Sequence, residues 1–163
     1  IPFAGETAAN FAMRMAAQKA AQIAEKYPEA CIIAADTVVA LDGVVYGKPR
    51  NAEEAYLWLQ SLNGKTHQVI TGMTVSSRKR NLLSNTHTIT QVTFAAFAKD
   101  ILRAYIQTGD PMDKAGAYGI QGAGAFLVQS INGSYSNVVG LPISHLVTIL
   151  LEHDVIQPNK NTG

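Results

Sequence analysis

Apolar and polar positions alternate along this chain with two periods, and the switches between them mark its elements. Residues 7–27 carry the helical period: Thr7 can cap, alanine is dense, Phe11, Met15 and Ile23 share a face, and Pro28 stops the run. Arg14 and Lys19 fall on the more polar flank. Residues 31–41 form an apolar, β-branched run that reads as a buried strand, turned at Asp42-Gly43 into a short return strand, Val44-Val45-Tyr46. Asn51, with Glu54 three residues on, makes a capping-box-like start for a helix that carries Tyr56, Leu57, Trp58 and Leu62 and ends at Gly64.

Residues 66–76 read as another strand, and the alternation Thr86, Thr88, Thr90, Val92, Phe94 predicts a strand over 84–97 with two unlike faces. A helix over 98–108 closes at Gly109. A hairpin is expected over 126–139, turning at Asn132-Gly133. A last helix follows Pro142 and ends near His153, and the polar tail 157–163 is expected to be loose. With no repeat, linker or composition shift, one α/β unit is the economical architecture.

Between these elements, Asp110 to Ala125 differs in kind: Gly116, Gly119, Gly122 and Gly124 are interleaved with alanines, with Asp113 and Lys114 at the front and Gln121 within. Such a backbone turns sharply or approaches a ligand closely. It is neither a P-loop nor the dinucleotide fingerprint, because G-x-x-x-x-G-K-[ST] is absent and no helix is expected to follow. A tight connection between helix and strand would use the same residues.

Composition narrows the picture. The 163 residues, with 13 basic and 12 acidic side chains and a net charge of +1, give no electrostatic reason to expect a nucleic-acid or membrane-surface partner. The basic run Arg78-Lys79-Arg80 sits between two strand-like segments and reads as a solvated turn. The single cysteine, Cys31, excludes an intrachain disulfide framework, fits a reducing compartment, and has the apolar neighbours of a small core residue. No apolar stretch approaches the roughly 20 residues of a spanning helix. A soluble, cytoplasmic protein is the default expectation. His67, His87, His145 and His153 lack metal-ligand spacing, and no serine sits in G-x-S-x-G.

What remains is Asp36, an acid inside the apolar run 31–41. A buried carboxylate is costly unless a cation or metal compensates it. Carboxylates that face phosphates usually do so through Mg²⁺, and Lys19, Lys48 and Lys114 could supply point charges to phosphate oxygens. Each lysine taken alone is equally a solvated charge. Together these residues suggest metal-assisted chemistry on an anionic small molecule.

Several segments in order through the chain carry a resemblance: G-E-T followed by R-M-A-A-Q-K-A (14–20), A-D-T-V-V (35–39), D-G-V-V-Y-G-K-P (42–49), L-N-G-K-T-H-Q-V-I-T-G (62–72), D-K-A-G-A-Y-G-I-Q-G-A-G-A (113–125) and G-S-Y-S-N-V-V-G-L-P (133–142). Together they resemble the Maf family of nucleoside triphosphate pyrophosphatases. The resemblance implies an elongated, twisted mixed sheet with flanking helices, forming two lobes around a cleft, often as a homodimer. It implies hydrolysis of a nucleoside triphosphate to monophosphate and pyrophosphate with Mg²⁺ or Mn²⁺. Asp36 matches the family's catalytic aspartate, also a metal-site carboxylate, and Lys19 and Lys48 match phosphate-facing lysines. Thr37 and Gln121 match specificity positions, and the D-T pair favours the subgroup acting on dTTP and UTP over the D-Q subgroup that prefers 7-methyl-GTP. Members of the family begin with a strand and a S-x-S-P-R-R loop. This sequence starts past them, so residues 1–163 are expected to form one such domain lacking that strand and loop. The rival expectation is a non-enzymatic, nucleotide-binding regulator of cell division or growth.

Overall fold

A computed structural model describes residues 2–158 of the chain. Helix α1 (Ala8–Lys26) begins at Thr7, whose hydroxyl accepts from the Asn10 N–H, and it lies over the strands β1 (Ile32–Leu41) and β3 (Thr66–Ser77). The short β2 (Val44–Tyr46) returns antiparallel to the end of β1, and α2 (Ala52–Leu62) starts at Asn51, whose side chain accepts from the Glu54 N–H. Strand β4 (Leu82–Phe94) follows a single 3₁₀ turn at Arg78–Arg80, the expected solvated turn. Then come α3 (Lys99–Gln107), a series of 3₁₀ turns over 110–127, β5 (Val128–Asn132), α4 (Tyr135–Val139) and α5 (Ile143–Glu152).

The strands lie in the order β2-β1-β3-β4-β5. The α/β class and the sheet flanked by helices stand as expected. The strand directions, expected to be mixed, are antiparallel in every pairing among the described residues. The expected hairpin over 126–139 is half right: β5 pairs with β4, but after Gly133 the chain enters the five-residue α4 instead of a second strand. Ser134 caps that helix by accepting from the Asn137 N–H at 3.2 Å, and Gly140, at φ 124°, ends it. Among the described residues no helix is long and apolar enough to cross a membrane. The outer part of the expected loose tail, 159–163, lies outside the described residues.

Two layers of helix cover the sheet. On one face, Val39, Val69, Val92 and Phe94 pack with Leu59 and Leu62 of α2 and Leu102 and Tyr105 of α3, and further along Met73 and Val75 pack with Leu146, Ile149 and Leu150 of α5. On the other, Val38, Ala40 and Ile70 meet α1. The face that α1 buries differs from the expected one. It is the stripe Ala12, Ala16 and Ala20, while Ile23 remains 43% exposed. The cause is Gly72 on β3: a Cβ there would overlap the backbone of Ala12 and Met13, so the helix axis sits against the strand with room only for alanine. Cys31 is likewise exposed, not a core residue, because it precedes the first paired residue of β1.

Candidate functional site

Strand β1 pairs with β3 along Ile32–Ala40 and with β2 only from Val39, so the opposite edge at Asp36–Val38 is where a cleft opens. The cleft has a volume of about 610 Å³. Asp36, Thr37, Lys19, Lys48, Lys114 and Gln121 all line it. Four separate elements bring them there: α1, β1, the segment after β2, and the glycine-rich stretch.

Asp36 pairs with Gly72, on the face covered by α1. The close approach that Gly72 permits brings Lys19 over the strand, where its Nζ donates to Asp36 Oδ1 at 2.5 Å and to the Ala35 carbonyl at 3.2 Å. The carboxylate is 20% exposed and the ammonium 50%, so the acid is reachable from the cleft, less deeply buried than an apolar run implies. Arg14, one turn back on α1, forms a bidentate pair with Glu6 at 2.7 and 2.8 Å and lies over the Phe3 ring. Its guanidinium holds the Glu6 carboxyl down at about 2.

The glycine-rich stretch forms the facing wall. The Gly116 N–H donates to the Gly47 carbonyl at 2.9 Å, which ties the stretch to the segment bearing Lys48. At Gly116, φ is 70° and a Cβ would press on the Val39 side chain at 2.8 Å, so this position needs glycine. Lys114 is held by both neighbouring acids: Nζ donates to Asp113 Oδ1 at 2.7 Å and to the Asp110 carbonyl at 2.7 Å. The Asp113 carboxylate keeps the Lys114 ammonium above its usual range, and Lys114 in turn keeps Asp113 below its own. As a phosphate contact, Lys114 is thus already neutralised in part.

Tyr118, on the same wall, anchors to the sheet through a 2.7 Å hydrogen bond with His67 Nε2, and both rings stack edge-on with Phe94. Burial lowers the His67 imidazole to about 4 and raises the Tyr118 hydroxyl, so both are neutral. His67 is thus a buried residue of β3, as its lack of metal-ligand spacing suggests, and it holds Tyr118 of the wall in place.

Thr37 faces the other side of the strand from Asp36. Its Oγ1 lies 2.8 Å from Thr71 Oγ1 on β3, and Thr71 donates to the Asn137 carbonyl at 3.1 Å. Asn137 is fully buried, and its Nδ2 donates to the Val69 carbonyl and to Thr90 Oγ1. Sequence reasoning missed Thr71, Asn137 and Tyr118. The one available signal was the polar string Ser134-Tyr135-Ser136-Asn137, too short to show a helical period.

The geometry joins a reachable carboxylate, several cations and a set of neutral hydrogen-bonding groups, which suits an anionic ligand with a polar ring. Comparison with known proteins points the same way. The family model described as Maf-like protein matches residues 2–153. The chain is 50% identical over 136 residues to the dTTP/UTP pyrophosphatase of Bacillus pumilus, covering 83% of this chain and 71% of that protein. It is 44% identical over 151 residues to the dTTP/UTP pyrophosphatase of Desulfotalea psychrophila, covering 93% of this chain and 77% of that protein. A third relative of the same name, from Myxococcus xanthus, is 46% identical over 149 residues, 91% of this chain and 74% of that protein.

Proposed function

The chain belongs to the Maf-like family, and from that premise we propose that it hydrolyses dTTP and UTP at the α–β phosphoanhydride, adding one water to give the nucleoside monophosphate and pyrophosphate. The observation that carries this reading is the meeting of Asp36 with Lys19, Lys48 and Lys114 in one cleft that also presents Thr37 and Gln121. In the proposed reaction the Asp36 carboxylate takes a proton from the attacking water, and Lys19 orients it through the contact at Oδ1. Lys48 and Lys114 offset the negative charge of the triphosphate. Thr37 and Gln121 meet the base edge with a hydroxyl and an amide.

A divalent ion, Mg²⁺ or Mn²⁺, is the cofactor we assign. The donor chemistry fits, because Asp36 offers a hard oxygen ligand in the cleft, and these ions bind through one or two carboxylates plus substrate phosphates. Among the described residues no group of three or more His, Cys, Asp or Glu could hold the ion without substrate. When bound, the ion supplies charge neutralisation at the phosphates.

A regulator that only binds nucleotide is not favoured. The similar proteins carry the name of a hydrolase, and a pure binder would lose affinity by setting a carboxylate beside a triphosphate. We further assign action on free nucleotides in the cytoplasm, without nucleic acid. The near-neutral net charge of +1 and the single cysteine support that assignment. Pairing as a homodimer rests on the family resemblance.

The test is to incubate the protein with Mg²⁺ and dTTP, UTP, 7-methyl-GTP or ATP and resolve the products by ion-exchange chromatography. Monophosphate plus pyrophosphate, formed fastest from dTTP and UTP, is expected. Diphosphate plus orthophosphate, or no turnover of either pyrimidine nucleotide, would overturn the reading.

A further inference from the structure

The Thr37 hydroxyl carries one hydrogen, and its direction is decided elsewhere in the fold. The Asn137 carbonyl can only accept, so Thr71, 3.1 Å away, commits its single hydrogen there. Thr71 Oγ1 can then only accept from Thr37, 2.8 Å distant. The reverse assignment would set Thr71 lone pairs against the carbonyl oxygen at a fully buried position, where an unmade hydrogen bond is costly. The carbonyl itself is fixed: it accepts from the Gly140 N–H at 3.0 Å, and its residue is pinned through Nδ2 to Val69 and Thr90.

From this chain we infer that Thr71 is a positioning residue for base selection, which turns the Thr37 hydroxyl inward and leaves only its lone pairs facing the cleft. The inference rests on the pyrimidine nucleotide reading above. Uracil and thymine present a single base-edge donor, the imide N3–H, and a Thr37 locked as an acceptor pairs with it. At the same N3 position cytosine presents a lone pair, which the Thr37 lone pairs repel; its one edge donor, the C4 amino group, lies beside N3 and pairs with Thr37 only if the base shifts. The polarity of one hydroxyl, set by its partner on the neighbouring strand and by the helix beyond it, thereby favours UTP over CTP. Thr71 touches no substrate in this scheme and acts through Thr37.

The experiment measures kcat/KM for UTP and CTP with Mg²⁺ in the unaltered protein and in Thr71→Val and Thr71→Ser. Thr71→Val keeps the shape and removes the acceptor, and the Asn137 carbonyl retains its bond from Gly140. The Thr37 hydrogen is then free to turn to the cleft, and the UTP-over-CTP preference falls roughly tenfold or more. Thr71→Ser preserves the relay and the preference. In a Thr37→Val background, Thr71→Val changes the preference no further, an outcome that separates relay from general loosening. Should Thr71→Val fail to fold, Thr71→Ala removes the same hydroxyl without adding bulk, and the same ratio is read. A preference unchanged in folded Thr71→Val or Thr71→Ala, with UTP still hydrolysed, overturns the inference and leaves the pyrophosphatase reading standing. Absence of UTP hydrolysis in the unaltered protein overturns both.

Discussion

Asp36 and Thr37 are neighbours in sequence, yet they lie on opposite faces of β1 and their surroundings are built by different means. On the Asp36 side an alanine stripe and Gly72 let α1 come close, and a half-exposed lysine reaches the carboxylate from that helix. On the Thr37 side α4 presses a fully buried asparagine against β3 and β4, and the contacts are neutral hydroxyls and carbonyls. The difference fits the roles proposed for the two sides. Charge that meets a triphosphate stays wet and adjustable, because a dry charge carries a large desolvation cost. Groups that read a base gain from being dry and rigid, since a fixed dipole in a low-dielectric interior discriminates more strongly.

The Asp36 side is the more fragile to added bulk. Gly72→Ala drives a methyl into the backbone of Ala12 and Met13, which only a shift of α1 can relieve. We expect a loss of about 3 kcal/mol in stability by urea denaturation, the upper range for overpacking, together with a fall in activity as Lys19 is carried away from Asp36. A Gly72→Ala protein with unaltered stability would mean that α1 does not seat as closely as described.

The Thr37 side is the more sensitive to acid. His67, on that face through its bond to Tyr118, has its pKa lowered by burial from 6.5 to about 4. Between those values the unfolded chain binds a proton at His67 that the folded chain refuses. Stability is therefore complete above pH 6.5 and declines as the pH falls toward 4, by about 2 kcal/mol at pH 5. Denaturation midpoints measured from pH 7.5 to 4.5 check this, and His67→Gln should flatten the slope. An equal slope in that variant would assign the effect to other groups.

Much of the architecture was legible in the sequence because its signals are local. Thr7 and Asn51 cap the helices they were expected to cap, Asp42-Gly43 turns β1 into β2, and β4 alternates as its threonines foretell. The six candidate site residues line one cleft; Asp36 and the glycine-rich stretch stand out by their own pattern, whereas Thr37 is named only by the family resemblance. What stayed hidden depends on partners far along the chain. The buried face of α1 is set by Gly72, sixty residues from Ala12, and nothing near Ile23 reveals that the gap is too narrow for it. The short α4 holds its place through Asn137 contacts with β3 and β4, whereas its Tyr135, Val138 and Val139 favour a strand by composition. Asp36 was read as deeply buried because a strand's apolar neighbours do not disclose that one edge of it opens onto a cleft.

In the proposed reaction one strand divides its labour, with chemistry at Asp36 and recognition at Thr37. The most direct measurement compares kcat and KM for UTP, dTTP and CTP in the unaltered protein, Asp36→Asn and Thr37→Val under the same Mg²⁺ concentration. Asp36→Asn should lose about 10³-fold in kcat for every nucleotide and keep their order of preference. Thr37→Val should instead change the order, with kcat for UTP within about tenfold of the unaltered protein. Full turnover in Asp36→Asn, or an unaltered order of preference in Thr37→Val, would contradict the division.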